Sequence, residues 1–201
     1  MTSSEGLTKL LKDCSFKTVL DVGSGEGEHA NILREAGKIV DTVDFGVSFY
    51  AKQRKDEISF LGDFLEIDFK KKYDCLFCSH ILEHTLNVNE FLKKTFSLLK
   101  SDGILLISVP PLRTKLVGGH INQFTPATLF YHLILAGFDC SDASYKAYGY
   151  NQTVITKKRE ATLPDSLTMD RGDIEKLQSF FPKGLGIKQG FEFRERNVNW
   201  N

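Results

Sequence analysis

Val19-Leu20-Asp21-Val22-Gly23-Ser24-Gly25-Glu26-Gly27 is the stretch that decides the fold. A strand-forming run, Lys17 to Val22, meets glycines at alternate positions, and a helix-forming segment from Glu26 to Ala36 follows until Gly37 stops it. Glycine strips every Cβ from such a turn, so the backbone can approach a ligand closely where a helix begins. A tight strand-to-helix turn without a ligand does not need glycine at Gly23, Gly25 and Gly27 together. The stretch therefore predicts a ligand site at the end of a first strand.

Outward from this turn, short apolar runs alternate with helical-length segments, the pattern of a parallel sheet with crossover helices. Lys38 to Asp44 is the second strand, a helix covers roughly 47–55, and Glu57 to Leu61 is a short third strand. Tyr73 to Cys78 is a buried fourth strand, followed by a helix from Val88 to Lys100. Asp102-Gly103 turns the chain into Ile104 to Val109, the most apolar strand, which Pro110 and Pro111 end. Thr125-Pro126 caps and opens a helix that Gly137 closes. Phe138 to Tyr148 and Tyr150 to Lys157 form a hairpin about Gly149, and a helix is expected from Arg171 to Phe181.

The acids select the ligand. A dinucleotide turn, G-x-G-x-x-G, would place its third glycine where Glu28 stands, an anion facing a pyrophosphate. Asp21 suits an ammonium group better than a phosphate. S-adenosylmethionine (SAM) carries an amino-acid tail and no phosphate, so electrostatics favours SAM and makes a nicotinamide-dependent oxidoreductase a distant alternative. Asp44 ends the second strand about twenty residues after the glycines, where a carboxylate accepts ribose hydroxyls. Asp63 follows the third strand and faces the adenine amino group, with Phe64 as an apolar wall.

These features resemble the class I SAM-dependent methyltransferases. The matching segments are V-L-D-V-G-S-G-E-G, V-D-F at Val43 to Phe45, G-D-F at Gly62 to Phe64, Tyr73 to His84, and Leu98 to Pro110. The resemblance spans about residues 15–157 and implies a Rossmann-like three-layer α/β sandwich, a mostly parallel seven-stranded sheet with one antiparallel strand. The expected organisation is one SAM-binding domain over 1–157 and an extension, 158–201, packed on or near it. The resemblance also implies that Asp21, Gly23 and Gly25 cradle the methionine end, Asp44 with Phe45 the ribose, and Asp63 with Phe64 the adenine. Cys78, Ser79 and His80 would line the cleft beside the reactive methyl.

Three histidines, His80, His84 and His120, fall near the carboxyl edge of the sheet, where open α/β sheets bind ligands. An oxygen or nitrogen acceptor that starts protonated needs a general base, and a histidine suits that task at neutral pH. His120 is the first candidate and His84 the second. The plainer roles are that His84 packs against the loop and His120 braces the Gly118-Gly119 turn. His29 and His132 lie on helices and are read as surface or packing residues.

His80-Ile81-Leu82-Glu83-His84 spells H-x-x-E-H, a zinc-peptidase pattern that is rejected because the segment ends a strand. Its likeness to the Glu-x-x-Glu-His segment of small-RNA 2′-O-methyltransferases leaves a divalent metal as a minor alternative on His80, Glu83, His84 and His120. Three imidazoles and a carboxylate would favour Zn²⁺, Mn²⁺ or Fe²⁺ over Mg²⁺. Cys75-Leu76-Phe77-Cys78 on a strand points its thiols to opposite faces and is not a metal or redox site.

Of the 201 residues 41% are hydrophobic and 26% charged, and Lys+Arg equals Asp+Glu at 26 each, so the net charge is zero. That balance argues against a nucleic-acid partner bound by a broad basic surface. No apolar run reaches the ~20 residues of a membrane span, and Met1 to Lys12 lacks the apolar core of a secretory signal. Four scattered cysteines make no disulfide framework, so a cytoplasmic location is expected. Gly118 to Pro126 resembles a G-H-x-x-x-F-T-P stretch of small bacterial methyltransferases, many linked to polysaccharide, sugar or quinone methylation. The expected activity is O-methylation (or N-methylation) of a small or glycan-type acceptor; the alternative is a SAM-binding regulatory subunit without turnover. The short inserts predict either an open cleft or one completed by a second subunit, so a homodimer is one possible assembly.

Overall fold

The computed structural model describes residues 2–200. The chain opens with α1 (Ser4–Asp13), which buries Gly6, Leu7 and Leu10. It continues through β1 (Thr18–Val22), α2 (Glu28–Glu35), β2 (Ile39–Asp44), β3 (Phe60–Leu61) and β4 (Tyr73–Ser79). Then come α3 (Val88–Leu98), β5 (Leu99–Val109), α4 (Pro126–Leu135), β6 (Ser144–Tyr148), β7 (Asn151–Lys157), α5 (Asp173–Leu177) and β8 (Asn197–Val198). The strands form one sheet in the order β3-β2-β1-β4-β5-β7-β6-β8. The first five of these strands run parallel, and β7 pairs antiparallel with β5. Chain order reverses on either side of β1, so a crevice opens at the carboxyl ends of β1 and β4.

Alternation along the strands supplies both faces of the sandwich. Leu20, Val22, Leu76, Cys78, Leu105 and Ile107 enter the larger core, with residues of α3 and α4. Val19, Cys75, Phe77, Ile104 and Leu106 enter the second core, with Leu7, Leu10, Ala30 and Leu33 of α1 and α2. Cys75 and Cys78 therefore sit on opposite faces, both as free thiols. Leu76, at the centre of β4, is fully buried. A Leu76→Ala variant should lose roughly 2–5 kcal/mol of stability by urea denaturation.

The structure departs from the sequence expectations at several places. Eight strands are present rather than seven, because Asn197–Val198 returns to pair with β6. The residues after Lys157 also bury Leu177, Phe181 and Ile187 in the larger core. The helix expected over 47–55 is a single 3-10 turn, Ala51–Gln53, with Val47, Phe49 and Tyr50 exposed. Val47, Tyr50 and Ala51 do have helical spacing, but only Ala51 is buried, so no apolar face is held against the core and a full helix is not stabilised there. The expected helix 171–181 is α5 followed by a 3-10 turn, Gln178–Phe180. Phe138 makes only an isolated bridge to Glu160, and the hairpin begins at Ser144.

Residues 100–103 form a bulge at the start of β5, where Asp102 takes φ +57° and the register against β4 shifts. The N-terminal helix has no counterpart among the sequence expectations. Its fit depends on Gly6, where an added Cβ would lie 2.8 Å from Thr153 Cγ2, and on the Tyr148 hydroxyl accepting from Gly6 N at 2.9 Å. Among the described residues no helix is long and apolar enough to cross a membrane.

Candidate active site

A cleft of about 910 Å³ lies at the carboxyl edge of the sheet. On one side is the glycine turn, where Gly23, Gly25 and Gly27 have φ of +74°, +50° and +86°. At Gly23 an added Cβ would stand 2.8 Å from Ile81 Cδ1, so this position needs glycine for both conformation and space. Asp44 fixes the turn: its Oδ2 accepts from Gly25 N and its Oδ1 from Gly46 N, each at 2.8 Å. Carboxylate oxygens have lone pairs to spare after these bonds, so Asp44 can still accept from a ligand in the cleft. Asp63 accepts from Leu65 N at 2.8 Å through Oδ1, which turns the loop after β3. Phe64 packs on Phe91 at 4.9 Å and gives the cleft an apolar wall. Gly23, Gly25, Asp44, Phe45, Asp63, Phe64, Ser79 and His80 all line the cleft.

Two residues expected on the wall are elsewhere. Cys78 faces the larger core, and burial pushes its thiol well above the ordinary range. The alternation of β4 turns Ser79, not Cys78, toward the cleft. Asp21 lies behind the turn, 1% exposed, with no hydrogen-bond partner for Oδ2. Burial raises its pKa to about 7, with Arg54 opposing the rise and Asp44 adding to it.

The histidine side is built on the end of β4. His80 takes φ +54°, and its Nε2 lies 2.9 Å from Asn151 Oδ1, with Nδ1 3.3 Å from Glu83 Oε1. Burial disfavours the charged ring, but Glu83 and Asn151 outweigh it, and the His80 pKa is raised. His84 Nδ1 lies 2.8 Å from Gly119 O; a ring nitrogen facing a carbonyl must donate, which leaves Nε2 as the lone-pair nitrogen of the neutral ring. His84, rather than His120, therefore braces the Gly118-Gly119 turn through its side chain. The His84 and His120 rings meet edge-to-face at 4.9 Å. Glu83 is fully buried, and neither carboxylate oxygen has a hydrogen-bond partner.

Ligand atoms of Glu83, His84 and His120 lie within 4.8 Å of one another. His80 stands outside that group, with its Nε2 held by Asn151. His29, read from sequence as a packing residue, lines the cleft; its Nε2 meets Thr2 O at 2.9 Å and its ring lies 4.9 Å from Phe77. Arg54 and Asn151 give no signal in the sequence, because both reach the site across long stretches of chain.

Among the described residues, Asp21 Oδ2 and the two Glu83 oxygens are the buried side-chain polar atoms without a hydrogen-bond partner. Each such atom costs roughly 1–3 kcal/mol, and Glu83 does so on the wall of the cleft. Glu26 and Glu28 also line the cleft. A glycine turn faced by Glu26, Glu28 and Asp44 and backed by Asp21 suits a cationic nucleoside and repels a pyrophosphate, so the residues present fit SAM.

The comparisons with known proteins agree. A family model described as a methyltransferase domain matches residues 4–139, about two thirds of the chain. A ubiquinone biosynthesis O-methyltransferase of Rickettsia conorii is 32% identical over 107 residues, covering 50% of this chain and 37% of the relative. The namesake of Rickettsia canadensis is 32% identical over 111 residues, covering 52% and 47%. The chain thus spans less than half the length of these curated relatives. A SAM-dependent methyltransferase from Archaeoglobus fulgidus shares the fold with a TM-score of 0.60 at 21% identity, covering 77% of this chain and 95% of that one. The 1,6-didemethyltoxoflavin-N1-methyltransferase of Burkholderia thailandensis, solved with S-adenosylhomocysteine (SAH), does so with a TM-score of 0.61 at 21% identity, covering 78% and 76%. Strand order, glycine turn, carboxylate ring and family match converge, and the chain belongs to the methyltransferase-domain family of the class I, SAM-dependent kind.

Proposed function

We propose that this chain transfers a methyl group from SAM to a hydroxyl oxygen of a small acceptor, with His120 as general base and His84 beside it. The observation that carries this reading is the His84–His120 pair on the same cleft as the glycine turn and carboxylates. SAM supplies an electrophilic methyl group on a good leaving group. The chain's own task is to hold donor and acceptor in line, an effect worth up to ~7–11 kcal/mol, and to take the acceptor's proton. In this reading Asp44 and Asp63 hold ribose and adenine, and the glycine turn, backed by Asp21, receives the cationic amino-acid end.

Oxygen as the acceptor atom is supported by the names of the Rickettsia relatives. Leu86, 86% exposed, and Ile81 give the histidine side of the cleft an apolar rim. That rim fits a hydroxylated ring better than a glycan, which needs many polar partners. The test is methyl transfer from radiolabelled SAM to a panel of phenols, catechols and sugars. SAH binding without transfer to any of them would instead support a regulatory, non-catalytic role.

A metal-assisted form of the same reaction is favoured by one feature. Glu83 Oε1 faces His80 Nδ1 at 3.3 Å and Oε2 has no hydrogen-bond partner, while His84 presents its lone-pair nitrogen with Nδ1 anchored, the arrangement of an oriented metal ligand. Two imidazoles and a carboxylate suit a borderline ion such as Zn²⁺ or Fe²⁺. Elemental analysis of untagged protein should then find about one ion per chain, lost in Glu83→Gln. No bound ion, together with a rate indifferent to chelator, would remove the metal and leave the histidine base.

A further inference from the structure

Gly27, the third glycine of the donor turn, does not line the cleft. An added Cβ there would stand 3.1 Å from Asp56 Oδ1 and 3.3 Å from Arg54 Cζ. What the third glycine admits is therefore a side-chain pair from behind rather than the ligand in front. The Arg54 side chain is 2% exposed, unusual for arginine unless its donors are satisfied. They are. Nη1 donates to Ser24 Oγ at 2.7 Å and to Gly25 O at 3.4 Å. Nη2 donates to Asp56 Oδ2 at 3.0 Å and to Thr42 Oγ1 at 3.4 Å, and Nε donates to Asp56 O at 3.1 Å. Asp56 is held in turn by Arg34 Nη1 at 2.8 Å.

One planar guanidinium thus ties the turn to β2 and to the segment after β2. That segment carries Phe45, Val47 and Tyr50 of the cleft wall, and Gly25 lies against Tyr50. The charges acting on Asp21 come from three elements: Arg54 from this segment, Asp44 from β2 and Arg34 from α2. After burial itself, Arg54 is the strongest influence on Asp21 and the largest one favouring its ionised form.

We propose that Arg54 is a positioning residue of the donor site, clamping Ser24 and Gly25 into the binding turn. Its planar fork does this, and lysine, which keeps the charge without the fork, is the diagnostic substitution. The inference rests on the SAM-binding reading of the cleft.

The test is calorimetric titration of SAH into wild type, Arg54→Met and Arg54→Lys, each well below its recorded melting temperature, with hydrogen exchange followed at the backbone amides. Both variants should bind SAH about tenfold more weakly, the usual effect of losing charge-assisted hydrogen bonds. Arg54→Lys shares the loss because an ammonium cannot span Ser24 and Gly25. Exchange at Ser24 and Gly25 should quicken in both while the amides of β4 keep their protection, which a general loss of stability would not do. If Arg54→Met fails to fold, an Arg54→Lys protein with wild-type Kd overturns the clamp. Wild type that binds no SAH overturns the donor-site reading and this inference with it, whereas wild type that binds and variants that match it defeat the inference alone.

Discussion

A protein carrying Asp21→Asn is expected to melt at a higher temperature than wild type at pH 8 and to bind SAH more weakly. Asp21 is 1% exposed and its pKa in the folded chain is about 7, against an ordinary 3.8. A carboxyl whose folded pKa is raised favours folding fully below its unfolded value and loses that contribution as pH rises through its folded value. The window therefore runs from pH 3.8 to about 7, and above it the wild-type apo chain carries the whole cost of a buried charge. That cost is on the order of 4 kcal/mol by linkage. Asparagine removes it at no change of shape, so the variant should gain stability at pH 8 and much less near pH 4.

The same substitution removes the negative charge behind the glycine turn. An opposite charge a few ångströms away typically shifts a titration by about 1–3 units, and losing it behind a bound ammonium should weaken SAH binding by about tenfold or more. Scanning calorimetry at the two pH values and SAH titration together check the pair of effects. Stability rising while binding weakens is the signature of a site that stores strain for its ligand. If Asp21→Asn binds SAH as wild type does, the orphaned oxygen serves no ligand and its cost has another origin.

His120→Ala is expected to lower turnover by about 10²–10⁴-fold, the usual contribution of a positioned base, while SAH affinity stays within about twofold. His120 reaches the cleft from the loop after β5 and contacts His84 rather than the glycine turn, so its removal leaves the donor site standing. His84→Ala should be more complex. It removes the ring that holds Gly119 O at 2.8 Å, so the loop that carries His120 loses an anchor. Both variants should be assayed as kcat and KM separately across pH. An undiminished rate in His120→Ala would exclude that imidazole from proton removal and shift the role to His84 or to a metal-bound group.

Much of the site is legible in the amino-acid sequence because it is written in local pattern. The glycine turn, Asp44 and Asp63 each follow a strand directly, and a residue at a strand's carboxyl end has few places to go. The same locality explains the opposition of Cys75 and Cys78, a matter of strand pleat alone. Cys78 is harder to place because the cleft and core sides of β4 differ by one residue. The sequence around it, apolar on both sides, does not mark which face is which. Arg54 escapes a sequence reading for the opposite reason: its partners Ser24, Gly25 and Thr42 stand 12 to 30 residues away. His29 looks like a packing residue because nothing in an eight-residue helix announces that its first turn borders a ligand cleft.

The order of elements, the parallel sheet and a phosphate-free cationic ligand follow from the amino-acid sequence itself, since periodicity, glycine and charge act over a few neighbouring residues. Tertiary structure alone decided which carboxylates are orphaned, which two histidines meet, and that a buried arginine backs the donor turn. Those facts depend on burial and on contacts between distant segments, where the free energy of a charge is set by what surrounds it and not by its neighbours in the chain.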